Sequence, residues 1–150
     1  VSKPFNTSQT GTFRTLIKGL NLGTHVVILN SGTTQLGVYY GGLIQYGSLT
    51  IDGSSRCLLY VSINASYQYT ASINGSLTLS APTSATAKEF IQYFGNASQG
   101  GQPWGDINEF IIYPNLITSK RQQIEGYLAW KWGLQKSLPS AHPFYMFPPG

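Results

Sequence analysis

The sequence predicts an all-β fold, an antiparallel sandwich of jelly-roll type closed by one C-terminal helix, on three observations. Short segments rich in β-branched and aromatic residues, about nine of them, recur at roughly 8–12-residue spacing, the rhythm of a sandwich or barrel. Asn74-Gly75 stands directly between two such segments, and an Asn-Gly pair supplies both left-handed positions that a two-residue hairpin turn requires. Helical periodicity with start and stop signals lies near the C-terminus, between Thr118 and Gly133.

The strand candidates follow in order. Phe13–Lys18 comes first, then the apolar run His25–Leu29, closed by Asn30-Ser-Gly32. Gln35–Tyr40 ends at Gly41-Gly42, and Leu43–Tyr46 and Ser48–Ile51 end at Asp52-Gly53. Arg56–Ile63 and Tyr67–Ile73 are the longest, and Leu77 and Leu79 alternate after the Asn-Gly turn. Glu89–Phe94 and Asp106–Tyr113 complete the set. In the helix, Ser119 and Gln122 stand at the spacing of a capping box. Ile124, Leu128 and Trp132 form one stripe, widened by Tyr127 and Trp130, so the aromatic side is expected to face the sandwich. Gly133 suits the left-handed position after the last turn, with Leu134 packing back. Pro139, Pro143, Pro148 and Pro149 oppose regular structure. Residues 137–150 are therefore expected as an extended arm beyond a sandwich domain of residues 1–136. Phe144, Tyr145, Met146 and Phe147 must find cover on that sandwich beside the helix, or on a neighbouring subunit.

At 150 residues the chain is long enough for one sandwich core. Charged side chains make up 9%, against roughly 25% in an average soluble protein, and hydroxyls, amides and Tyr supply the polarity instead. Such a surface suits an extracellular or particle-bound β-protein. The net charge of +4 reflects few acids, and no Lys/Arg run or RNA-binding motif points to nucleic acid. Cys57 is the single cysteine, so no internal disulfide can form; alternating with Leu59, Val61 and Ile63, it reads as a small core residue. No apolar run is long enough to span a membrane, and no secretory signal is visible. The chain begins at Val1 without Met, which reads as a processed product or a piece of a longer protein.

Three segments carry a resemblance: Gln102-Pro-Trp-Gly-Asp-Ile107, Arg121-Gln-Gln-Ile-Glu-Gly-Tyr-Leu-Ala-Trp-Lys-Trp-Gly-Leu134 and Leu138-Pro-Ser-Ala-His-Pro143. Together they resemble the closing part of the concanavalin A-like (laminin-G-like) domains found in virion proteins of large DNA viruses and phages. The hairpin Ser72-Ile-Asn-Gly-Ser76 is similar to an element common in laminin-G-like folds, and Arg14–Gly19 with His25–Tyr40 resembles the earlier strands. The resemblance implies a non-catalytic module on a virion surface, binding host glycans or neighbouring virion proteins. A purely architectural cement or decoration domain is the alternative, and a degenerate glucanase a more distant one. Domains of this type usually carry a strand ahead of the position of Phe13, where this sequence has only twelve residues. That first edge strand is missing here or supplied by another segment.

Catalysis finds little support in the residues. Glycosidases of this fold place two carboxylates on one strand face, whereas Asp106 and Glu109, three apart, fall on opposite faces of a strand. Asp52, Glu89 and Glu125 lie in a turn, at a strand start and on the helix, and His25 and His142 have no nucleophile motif beside them. Cofactors are expected to be none. Calcium would need six to eight oxygens, and Asp52 and Asp106 offer few; Asp106 can equally cap a turn. Sugars stack on flat aromatic faces flanked by amides or carboxylates, which makes Tyr39, Tyr40, Tyr67, Tyr69, Trp104 and Asp106 the carbohydrate-binding candidates. The same aromatics also simply favour strands. Tyr67 and Tyr69 are expected to project to one face. Asn6, Asn64, Asn74 and Asn96 each open an Asn-x-Ser/Thr glycosylation acceptor.

Overall fold

The computed structural model describes residues 1–4, 13–19, 25–30, 33–40, 43–51, 53–82, 91–95, 101–115 and 117–150. The strands are β1 (Ser2–Pro4), β2 (Phe13–Gly19), β3 (His25–Asn30), β4 (Gln35–Tyr40), β5 (Leu43–Thr50), β6 (Leu59–Ile63), β7 (Gln68–Ile73), β8 (Ser76–Pro82), β9 (Ile91–Phe94), β10 (Gly101–Pro103) and β11 (Gly105–Ile107). Among the described residues the one α-helix is α1 (Arg121–Lys131). The chain is an antiparallel β-sandwich with a C-terminal helix. The larger sheet runs β10-β2-β3-β4-β5 and the smaller β6-β7-β8. One edge of β2 is shared: β9 pairs with its second half antiparallel, and β10 with its first half parallel.

Alternation along β7 explains the layering. Tyr69, Ala71 and Ile73 point into the space between the sheets and pack with Leu29, Leu36, Val38 and Trp104. The Tyr69 hydroxyl crosses to β4 and donates to the Gly37 carbonyl at 3.4 Å. Ser72 points to the other face, yet it is fully buried because α1 covers that face. The molecule therefore has three layers, sheet, sheet and helix, with a second apolar cluster of Leu58, Leu128, Ala129 and Leu138 under the helix.

The Asn74-Gly75 hairpin is as expected: φ is +50° and +81° at the two residues, both left-handed. The helix stop is also as expected. Gly133 has φ +70°, Leu134 N–H donates to the Ala129 carbonyl at 2.7 Å and Gly133 N–H to Trp130 at 3.4 Å, a Schellman motif. The helix start differs. A 3-10 turn, Thr118–Lys120, leads into α1, and no side chain caps it, so Ser119 and Gln122 form no capping box.

Other expectations need correction. The two short runs after Gly42 are one strand, β5. Arg56–Leu58 stays out of the ladder apart from a bridge between Cys57 and Ser2, leaving β6 to begin at Leu59. Asp106–Tyr113 is a strand only to Ile107. Its partner β1 ends at a bulge, where Asn108 and Glu109 both direct N–H to the Val1 carbonyl (3.0 and 3.3 Å). The Val1 ammonium donates to the Glu109 carbonyl at 2.8 Å, and burial pushes it below its usual pKa. Residues 137–150 carry successive turns, with His142 N–H donating to Pro139 O and Tyr145 N–H to His142 O. They fold back against α1 of their own chain: Trp130 Nε1 donates to the Phe144 carbonyl at 2.8 Å.

Candidate functional site

The predicted sugar-binding residues do not assemble. Tyr69 and Trp104 are fully buried between the sheets, so neither offers a face to a ligand; Trp104 Nε1 instead donates to Ser2 Oγ at 3.2 Å. Desolvation drives the Tyr69 phenol far above its usual range. Tyr67 and Tyr69 do not share a face, because Tyr67 precedes β7 at φ +57°, in the hairpin turn, and the alternation starts after it. Tyr67 is half-buried at that tip, Tyr39 half-buried on β4, and Asp106 exposed on β11 opposite Lys3. Tyr40 has only its backbone described, in β4.

Of the glycosylation candidates, Asn6 and Asn96 lie outside the described residues. Asn64 closes the β6–β7 hairpin: its Oδ1 accepts from the amides of Ser66 and Gln68, both at 2.9 Å, and its Nδ2 donates to Gln68 Oε1. Asn74 Oδ1 accepts the Leu58 N–H at 2.8 Å, which fixes the amide and leaves Nδ2 as the free donor group.

Glu109 and Glu125 have structural employment. Glu109 receives the Trp132 indole N–H at 2.6 Å and the Lys131 ammonium at 3.0 Å, which together hold its carboxyl below the usual range. Glu125, 2% exposed, was expected only as a helix residue; it turns inward instead. Its Oε1 accepts from Ser72 Oγ at 2.9 Å, and its Oε2 lies 3.3 Å from Arg121 Nε and 3.5 Å from His142 Nε2. His142 Nδ1 accepts the Phe144 N–H at 3.3 Å, which turns Nε2 toward Glu125. Sheet, helix and tail are thereby joined at one buried carboxylate. Although serine, histidine and glutamate meet here, the hydroxyl contacts the carboxylate rather than the imidazole, and all three are out of reach of substrate. The expected stripe docks, with Leu128 buried and Ile124 and Trp132 packed against the cluster beneath the helix; of the two aromatics expected to widen it, Trp130 is half-buried and Tyr127 is 51% exposed. Asp52 and Glu89 lie outside the described residues, among which no three His, Cys, Asp or Glu side chains converge as metal ligands would.

Two features unforeseen in the sequence remain. The first is an apolar strip: Phe94 packs edge-on against Phe110 with ring centres 4.5 Å apart, and Ile107, Ile111, Ile112 and Tyr113 continue it, all exposed. Isolated exposed apolar residues are ordinary, but a contiguous run marks an interaction surface. The second is a cleft of about 350 Å³ lined by Thr50, Ser55, Arg56, Ile73, Asn74 and Ser137. The Arg56 guanidinium lies 5.7 Å from the centre of the Trp132 ring. The cleft gave no sequence signal, since it joins segments far apart in the chain, and the run Phe110–Tyr113 reads in the sequence as part of a strand rather than as an exposed strip. No family model, curated protein or solved structure matches this chain.

Proposed function

We propose that the chain is a non-catalytic structural module of a virion surface or capsid-associated protein, of the concanavalin A-like kind that its closing segments resemble, and that it binds a neighbouring virion protein. The observation that carries this reading is the apolar strip from Ile107 to Tyr113 with Phe94 beside it. The 108–113 segment has strand composition but lies outside the ladder, with Phe110, Ile111, Ile112 and Tyr113 all exposed, which in water is an unfavourable state that a second protein surface relieves. The occupation of Glu109 and Glu125 in structural contacts favours binding over hydrolysis.

A photo-cross-linking residue placed at Ile112, in chain incorporated into particles, tests the reading. A cross-link to another virion protein, together with poor incorporation of Ile112→Lys, is the expected result. Normal incorporation of Ile112→Lys with no cross-link overturns it. The substitution is at a side chain 56% exposed, so it spares the fold.

A further inference from the structure

We infer that the strip from Phe110 to Tyr113 seats a second copy of this chain, joined across a two-fold axis by pairing of the two 110–113 segments. The inference rests on the reading of the strip as a contact between virion proteins, and it names that neighbour as the chain itself.

The backbone defines what is wanted. β1 runs antiparallel to β11, and their pairing reaches the bulge at which Asn108 and Glu109 both donate to the Val1 carbonyl. The Val1 ammonium donates back to the Glu109 carbonyl at 2.8 Å. Past the bulge, Phe110, Ile111, Ile112 and Tyr113 have no backbone partner among the described residues. An open edge of strand-forming residues is a template for another strand. A strand set there in line with β1 must run antiparallel to 110–113. A two-fold axis delivers that direction from the same segment, because identical strands facing each other across a dyad normal to their sheet are antiparallel by symmetry. Directly opposite residues share a face, so Ile111 or Ile112 lies on the axis opposite its own copy. Pro114 has no N–H to give and ends the pairing.

Charge favours the same occupant. Two copies each carry a net charge of +4, which would oppose association if lysines or arginines met at the contact. Ile107 and Phe110–Tyr113 bring no charge, nor does Phe94 beside them. Glu109, which adjoins the strip in sequence, is already paired with Lys131 at 3.0 Å. Such a strip presents nothing repulsive to its own image, whereas a partner selected by charge would find nothing here to read. Once paired, alternation sends Phe110 and Ile112 to one face and Ile111 and Tyr113 to the other, so each face gains apolar cross-strand neighbours.

Sedimentation of the 150-residue chain from micromolar to millimolar concentration tests this. A reversible monomer–dimer equilibrium is expected, with Ile112→Lys monomeric throughout and unchanged in circular dichroism. Under dissolved oxygen, either Ile111→Cys or Ile112→Cys should form a disulfide with its own copy at least tenfold faster than Leu77→Cys. Leu77 is 54% exposed on the smaller sheet, and the native Cys57 is buried. A chain that stays monomeric, a dimer indifferent to Ile112→Lys, or cross-linking no faster than at Leu77 overturns the inference. Growth beyond two copies does so too, because a dyad contact closes. A monomer whose Ile112→Lys variant still incorporates poorly into particles overturns the second copy alone. A monomer with normal incorporation and no cross-link removes the neighbour reading as well.

Discussion

Glu125 is the residue on which the C-terminal third depends. It alone contacts all three of Ser72, Arg121 and His142. Removing one member of a buried charge cluster leaves the others without compensation, a loss of about 3–5 kcal/mol. Because Arg121 keeps some contact with water, Glu125→Ala should fall near the lower end of that range, seen as a reduced urea midpoint at unchanged slope. Tyr69 makes a separate demand at high pH. Its folded-state pKa is raised by burial, so the folded state holds a proton that the unfolded state releases near pH 10. Stability from this group is complete below about pH 10 and declines as pH rises above it. Ultraviolet titration of tyrosinate should show one phenol that ionises only as the protein unfolds; ionisation of all ten tyrosines in the folded state would contradict its burial.

Among the elements, hairpin and helix differ in how plainly the sequence announces them. The Asn74-Gly75 turn and the Schellman stop at Gly133 are local backbone requirements, met by residues that favour φ > 0, and both were legible. The stripe Ile124, Leu128 and Trp132 by which α1 docks was legible as well, but the exposure of Tyr127 and the inward turn of Glu125 were not. Tyr127 is apolar enough to suggest an inward face, but Glu125 wins that position because Ser72 and His142 supply polar partners from distant parts of the chain. The buried Trp was misassigned for the same reason: Trp104 looked like a sugar platform, and only the pairing of β1 with β11 shows that it lies in the core. Two glycines test the packing of these elements. A Cβ at Gly126 would lie within 2.6–2.7 Å of the Phe144 side chain. Gly126→Ala should therefore cost about 1–3 kcal/mol and make the 137–150 segment the first site of proteolysis. Gly75→Ala should cost about 1–2 kcal/mol for its left-handed backbone, with further crowding against Leu138 and His142, both 3.2 Å from the added carbon. A thermal melt of each variant checks the pair.

For the whole molecule, the sandwich was foreseeable from strand rhythm and a helix docked on it from the apolar stripe of α1, whereas the contacts that hold the tail were not. The proline-rich segment reads as an extended arm that covers its own sandwich beside the helix or a neighbour; it takes the first course in successive turns, and its role in the second apolar cluster rests on Leu138 and Tyr145, which no periodicity connects to Leu58 or Val1. Deleting residues 137–150 should therefore lower the melting temperature, not merely remove a tail, because Leu128 and Trp130 lose their cover and Glu125 loses His142. Calorimetry on the truncated chain reads this directly, and an unchanged transition would show the segment to be dispensable. The exposure of the apolar strip and the assembly of the Arg56 cleft escape a sequence reading because each is a product of tertiary folding. They belong to no motif.

The position of Cys57 gives experimenters a clock. Its backbone is bonded in both directions to Ser2, at 2.8 and 3.0 Å, and its Sγ–H points to the Ser2 carbonyl at 3.4 Å, so the thiol lies beneath β1. As the single cysteine in the chain it can be alkylated at one place, and it is buried in the folded state. The rate of labelling by a thiol reagent, compared with that of the unfolded chain, therefore reports the openings that uncover Cys57, the lifting of β1 among them. Whatever occupies the strip along 110–113 sits at the end of that same strand pair, and its arrival should slow the clock.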